Sequence, residues 1–420
     1  VSSGKTIGPV RAWALAAGGM VGGGIYISLG VVIEAAGAWA WLSFAIAGLA
    51  ALISAYSYGK LSNKFGRSGG AFEFLEKMDH PEVAGSLSWL LIIGYTLTIS
   101  VYAYAFGHYV AHSFGGSEII IRALALAIAI LMIGLNLMGA GKLTGVEVLI
   151  VTGNLLILII LAVMGMLDWN PAALGDGVPD KPLSAAFIGA AVIFISYEGF
   201  QLLAYEYGDL VDPKKYFVPV LVSASIFVIG IYVAVTLGAT MILGASGVVE
   251  GKEVALSNAA QQILGTPGLI AMTIAAAFAT SAAINSTLFS TAKLAARITR
   301  DKELPEFWGH KNSNDIPDRA VIALGLTAGI LAITGSLSSL VEAASLVFVA
   351  TFGVVNYLCA RTIADRSLLA WTGTALCAAI GAVLVYHLAN SQPVPLMILG
   401  TLIFVSIFVR PILLRNRAGQ

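Results

Sequence analysis

Three stretches of the chain carry residue types that could do chemistry. Glu198 stands in the run Phe194-Ile195-Ser196-Tyr197-Glu198-Gly199-Phe200, inside an otherwise apolar segment. A carboxyl group at membrane depth is expensive and is read as functional by default. Two roles stay open for it: proton carrier, or acceptor that pins a chain break. Gly199 directly after it is a natural helix interruption. The second stretch is Ala16-Ala17-Gly18-Gly19-Met20-Val21-Gly22-Gly23-Gly24-Ile25-Tyr26, in which five of eleven residues are glycine. Each glycine costs a helix interior about 0.8–1 kcal/mol against alanine. Irregular backbone in a membrane survives only where protein or an aqueous cavity satisfies it. A break there therefore points to a binding site, with freed N–H groups for an anion and freed carbonyls for a cation. The plainer alternative is a small-residue face for close helix packing. The third stretch, Ala277-Phe278-Ala279-Thr280-Ser281, sets two hydroxyls one helical turn after a carbonyl. Thr and Ser also bond back to their own helix.

The elements that position these residues are membrane spans. The chain has 420 residues, 58% hydrophobic and 11% charged, where a soluble protein carries about 25% charged residues. Apolar runs of about twenty residues recur from end to end. The fold class is thus all-α and polytopic, with no soluble domain. The net charge of zero is silent about partners. Cys359 and Cys377 lie in expected helices and suggest no disulfide framework. No cleavable signal pattern is visible, and the start at Val1 reads as trimmed.

Twelve spans are expected: 10–36, 39–62, 84–113, 119–139, 143–167, 184–206, 216–243, 266–297, 318–335, 338–361, 368–388 and 395–414. With the N-terminus inside, only Arg122, Lys181 and Lys252 fall outside, and the other 20 of the 23 Lys and Arg residues fall inside. Such a bias sets orientation, so both termini are expected to be cytoplasmic. The longer connections are Phe65–Val83, read as amphipathic and either surface-lying or re-entrant, Asp168–Leu183, Gly244–Thr266 and Thr299–Asp318.

The two Gly-interrupted spans are the first and the sixth. They begin on opposite sides, as spans one to five and six to ten do as groups. Interrupted helices at matching places in two opposed halves are the sequence pointer to an inverted-repeat transporter. The halves are assigned to residues 1–183 and 184–366, with 367–420 as peripheral helices.

Several motifs in this order resemble the amino acid–polyamine–organocation transporter superfamily over most of the chain. Gly18–Tyr26 resembles its first-span glycine signature. Arg67-Ser68-Gly69-Gly70-Ala71-Phe72 is similar to its loop after span two. Tyr197-Glu198-Gly199-Phe200, with Glu206 and Asp212-Pro213-Lys214-Lys215 to Pro219, resembles its sixth span and following loop. Arg297-Ile298-Thr299-Arg300-Asp301-Lys302-Glu303-Leu304-Pro305 resembles the loop after span eight. The resemblance implies a LeuT-type five-plus-five inverted repeat with broken helices 1 and 6, alternating access, and amino acids or related amines as substrates. It implies that amides at Gly22, Gly23 and Gly24 hold a carboxylate. Carbonyls near Gly18 and Gly19, and from Phe194 through Ser196 to Tyr197, with Glu198 and Gly199 beside them, would hold an ammonium. It further implies a sodium site of the Gly18, Val21 and Ala277 carbonyls and the Thr280 and Ser281 hydroxyls. Five neutral oxygens suit a hard cation. Proton-coupled relatives often carry a Lys on span five, where this chain aligns Asn154.

Sodium is accordingly the expected coupling ion, with Glu198 and Glu147 as the competing proton carriers. The expected function is sodium-coupled symport of neutral or apolar amino acids at the cell membrane. The alternatives are proton-coupled symport and uncoupled exchange of amino acids or amines. Tyr95, Tyr102 and Tyr104 are candidate substrate-roofing residues. His108 and His112 form an i, i+4 pair read as a solvated face, Glu342 is a candidate outer gate, and Asn285 is packing glue. No catalytic constellation, nucleotide motif, nucleic-acid patch or obligate protein partner is expected; the expected partners are the substrate and the lipid bilayer.

Overall fold

The computed structural model describes residues 7–66, 68, 70–78, 81–139, 146–365 and 367–391, with single positions 396, 397 and 400 beyond them. The side chains of residues 81, 82, 146 and 147, and so that of the candidate Glu147, are not among those described. Apart from positions 396, 397 and 400, the expected span 395–414 lies outside the described residues.

The first apolar segment forms α1 (Pro9–Val21) and α2 (Gly24–Ala36). After them come α3 (Ala40–Phe65), the short α4 (Gly70–Glu76), α5 (Pro81–His112), α6 (Glu118–Leu137) and α7 (Val146–Leu167). The chain continues through α8 (Ala185–Val192), α9 (Pro213–Gly251), α10 (Ala255–Leu264), α11 (Thr266–Arg300), α12 (Asp318–Thr334), α13 (Leu337–Thr362) and α14 (Ser367–Ser391). Among the described residues there is no strand, only an isolated bridge from Ile7 to Leu210. Among the described residues, eight helical stretches are long and apolar enough to cross a membrane, or nine if the bent pair after residue 184 counts as one. One of these stretches, Pro9–Phe65, contains α1 to α3. Helices occupy the first eleven expected intervals.

One expected loop is built differently. Residues 244–266 were expected as an external loop. Instead α9 kinks at Gly244 (φ 71°, ψ 161°) and runs on to Gly251, followed by a 3₁₀ turn and α10. Leu256, Ala259 and Ala260 on one side of α10 are buried, so its apolar stripe draws the segment onto the bundle. Within the 65–83 connection, expected to lie on the surface or to re-enter, Gly70 to Leu75 are all buried. Glu73, fully buried in α4, pairs with the Arg297 guanidinium, which also donates to the Ser68 carbonyl. An Arg fork satisfies both acceptors at once.

The outward faces are apolar. Leu149, Phe278 and Ile330 are each about half or more exposed. On α11 the turn that exposes Phe278 buries Thr280, a helix with one lipid face and one core face. The break-bearing segments α1–α2 and 185–209 sit inside, packed by α3, α5, α9, α11 and α13.

Candidate functional site

The break in the first span is narrower than three glycines suggest. Gly22 is still helical (φ −55°, ψ −25°), and its N–H donates to the Gly18 carbonyl at 2.8 Å. Only Gly23 leaves helical geometry (φ −149°, ψ −19°). The interruption is a one-residue hinge. In the sixth span the break is longer. A 3₁₀ turn runs from Phe194 to Tyr197, Glu198 is extended, Gly199 has φ +128°, and a second 3₁₀ segment covers Phe200–Asp209. The two parts of the span bend by 59°. That φ is open to glycine and strained for other residues.

The two breaks meet. A methyl group built at Gly19 would lie 3.0 Å from the Gly199 carbonyl carbon and oxygen, and one built at Gly199 would run into the Gly19 carbonyl. Backbone meets backbone because neither residue carries a Cβ. The Tyr232 hydroxyl on α9 lies within hydrogen-bond distance of the Met20 and Ser196 carbonyls, at 2.7 and 2.9 Å. Ser28 on α2 bonds Ser196. On α13, the Ser345 hydroxyl donates to the Val192 carbonyl at 2.6 Å and accepts from the Ile195 N–H at 3.0 Å. Tyr197 donates to the Phe44 carbonyl at 2.8 Å. Tyr232 and Ser345 thereby take up backbone groups of the two broken segments.

Glu198 is buried and doubly held. The Tyr102 hydroxyl donates to Oε2 at 3.2 Å and Gln201 Nε2 to Oε1 at 2.8 Å, while Gln201 Oε1 accepts from the Gly199 N–H at 2.9 Å. Tyr95 and Tyr205 continue the network with hydroxyls 3.1 Å apart. The Tyr102 ring lies against Gly23, in the space a Cβ would need. Gly23 is thus covered by Tyr102, and Gly24 by Ser196 and Tyr232.

A cavity of about 510 Å³ runs from Ile7, Asp209 and Pro317 at one end to Gly18, Gly19 and Gly199. Of the expected substrate residues, these three glycines line it. Gly22, Gly23, Gly24, Phe194, Ser196, Tyr197 and Glu198 lie beyond its head, buried.

The expected ion-site residues fall on two adjoining helices. Gly22 packs on α11, where a methyl built on it would be 2.8 Å from Ala283 Cβ and 3.2 Å from the Ala279 carbonyl. Thr280 is buried, with Oγ1 2.7 Å from the Ala276 carbonyl and 3.2 Å from that of Ala277. The Gly18 carbonyl already accepts from Gly22, and Ser281 is partly buried. The donors are neutral oxygens, chemistry that fits sodium. Asn154 on α7 is buried and accepts from the Tyr26 hydroxyl, and the Tyr26 carbonyl accepts from Tyr109 at 3.0 Å. Among the described residues no three His, Cys, Asp or Glu side chains converge on a metal position.

Of the remaining candidates, Asn285 bonds Asn136 of α6 at 2.9 Å, Tyr104 stacks on His108, and Glu342 is buried 3.8 Å from His387. Sequence reasoning missed Gln201, Tyr232, Ser28 and Ser345. Gln201 had a signal, lying three residues after Glu198 in the same segment. Ser28 lies just past the glycine-rich stretch on α2, and Tyr232 and Ser345 come from distant helices and had none.

The sequence pattern of the amino acid permease family matches residues 7–415. The chain is 26% identical over 365 residues to the inner membrane transport protein YbaT of Escherichia coli, covering 83% of each. It is 24% identical to the mitochondrial cationic amino acid transporter 3 of Arabidopsis thaliana, over 81% of this chain and 59% of that one. Its fold is similar to that of MhsT, solved in complex with L-phenylalanine, with TM-score 0.63, 16% identity, and coverage of 94% of this chain and 98% of that one. The fold is therefore of the LeuT type, with its breaks in the first and sixth spans. From its matched length and its paired helix breaks, the chain belongs to the amino acid permease family, a family of membrane transporters rather than enzymes.

Proposed function

We propose that this protein is a secondary active transporter of neutral, apolar amino acids, coupled to sodium and working by alternating access. The observation that carries this is the backbone contact of Gly19 with Gly199 at the head of the 510 Å³ cavity. A half-helix start and a half-helix end at one junction offer N–H groups to a carboxylate and carbonyls to an ammonium. The carboxylate takes Gly22, Gly23 and Gly24, and the ammonium takes carbonyls near Gly18, Gly19 and Phe194–Tyr197. Tyr102 and Ser196 must move for the seat to open, so binding selects a conformer other than the one described. The halves 1–183 and 184–366 move against each other, and 367–420 stays peripheral. The chain lies in the cell membrane with both termini inside, which the Lys and Arg distribution supports.

Sodium would be held by the Gly18, Val21 and Ala277 carbonyls and the Thr280 and Ser281 hydroxyls. There it would bridge α1 to α11 and favour the conformer that binds substrate. Asn154 cannot supply a switching charge in its place. A second reading, proton coupling or uncoupled exchange, is favoured by one observation: Thr280 bonds back to its own helix, while the buried carboxyl of Glu198 stands at the junction. The name of the Arabidopsis relative also keeps cationic substrates in view.

The test is uptake of a radiolabelled amino acid panel into liposomes holding purified protein. It is run with a sodium gradient, with potassium and an inward proton gradient, and with neither. The expected result is sodium-dependent uptake, with the sodium requirement raised about tenfold or more in Thr280→Ala and Ser281→Ala. Uptake that follows protons alone, or exchange without either gradient, replaces sodium by the second reading.

A further inference from the structure

The cavity carries charge at its mouth that the junction does not use. Lys293 on α11 and Glu206 on the second 3₁₀ segment both line it. Their side chains form an ion pair at 3.0 Å, and the ammonium lies 4.5 Å from the centroid of the Phe289 ring. Side-chain exposures of 42% and 21% leave the pair accessible from the cavity. An ion pair this wet contributes little to folding, so stability alone does not explain it. Ser286 and Ser290 line the same wall, at the i−7 and i−3 positions from Lys293, on one face of α11. Ala283, which meets Gly22 at the break, is ten residues back, about 15 Å along the helix axis. The mouth pair is therefore separate from the seat at the junction.

We propose that Lys293 and Glu206 form a second, low-affinity subsite that receives the zwitterionic head of an amino acid at the cavity mouth. The ligand's carboxylate replaces Glu206 at the Lys293 ammonium, and its own ammonium takes the Glu206 carboxylate. One ion pair becomes two, and neither protein charge is left without a counter-charge. The apolar Phe289 and Leu202 walls face the rest of the ligand. The subsite rests on the amino acid transporter reading and places a waiting position on the route between the junction and the end bearing Lys293.

Binding to the purified full-length protein in nanodiscs tests it, with three probes: L-leucine, 3-methylbutylamine, which lacks the carboxylate, and 4-methylpentanoate, which lacks the ammonium. Wild type is expected to show a weak leucine site besides any tight one. Lys293→Gln is expected to weaken leucine and 4-methylpentanoate at that site about tenfold while sparing the amine. Glu206→Gln is expected to weaken leucine and the amine while sparing the acid. Lys293→Arg is expected to keep acid binding, which holds the test open should the Gln variant fold poorly. Equal loss for all three probes would make the pair a structural clasp and overturn the subsite. So would a single class of leucine site in wild type, or unchanged binding in both Gln variants. Failure of wild type to transport any amino acid in the liposome panel would overturn the transport reading instead, a result the binding experiment does not share.

Discussion

The hydroxyl of Tyr232 joins the two broken helices: it lies 2.7 Å from the Met20 carbonyl before one break and 2.9 Å from the Ser196 carbonyl within the other. One side chain on α9 thus sets the spacing of two backbone segments that lack regular helical partners. Tyr232→Phe keeps the ring and removes that link. A lost buried hydrogen bond that leaves its acceptor unsatisfied costs about 1–3 kcal/mol. The expected outcome is a lower unfolding temperature in detergent and a transport rate that falls further than substrate affinity does.

Gly23 and Tyr102 share one space. Gly23→Ala drives a methyl group into the Tyr102 ring, and overpacking of this kind costs about 1–3 kcal/mol. Gly23→Ala alone is expected to lower the yield of monodisperse protein, and Gly23→Ala with Tyr102→Ala to recover it. A double-mutant cycle on thermal stability measures the coupling. Additive losses would place the strain elsewhere.

Gly199 has no such remedy. Its φ of +128° and its contact with the Gly19 backbone leave no flexible side chain to yield. Gly199→Ala is expected to cost at least about 1–3 kcal/mol from backbone strain alone. It should abolish uptake even where some protein reaches the membrane.

Glu198 accepts from both Tyr102 and Gln201. Glu198→Gln sets an amide NH₂ against one of these donors, an expected loss of about 1–2 kcal/mol. With sodium as the coupling ion, the pH profile of uptake in Glu198→Gln should follow that of wild type. A flattened profile would instead assign the proton to this carboxyl.

Arg297 anchors buried Glu73 and the Ser68 carbonyl together. Arg297→Ala takes the guanidinium from a fully buried carboxyl group, at an expected cost of about 3–5 kcal/mol. Glu73→Gln is expected to cost less, because it removes the buried charge along with the pairing. Comparing the two unfolding temperatures checks the order.

The bundle and its breaks were legible in the chain because their causes are local. Long apolar runs require helices in lipid, and Gly23 and Gly199 interrupt those helices through their own backbone freedom. Glu198 was visible as a charge where none is expected. What it touches was legible only in part. Gln201 reaches it from three residues on in the same segment, but Tyr102 meets it, and Tyr95 meets Gln201, only because α5 crosses the sixth span there, and helix crossings are set by side-chain interdigitation between segments about a hundred residues apart. The same holds for residues 244–266, where an apolar stripe too short to read as a span found a surface to cover. Tertiary packing alone decided that the first break is a single-residue hinge, because Tyr102, Tyr232 and α11 close around Gly22 to Gly24. It also decided that Asn154 is spent on Tyr26, and that Lys293 and Glu206 meet across one cavity. Spacing along a chain reports what a backbone can do by itself, and contacts between distant helices exist only once the bundle has closed.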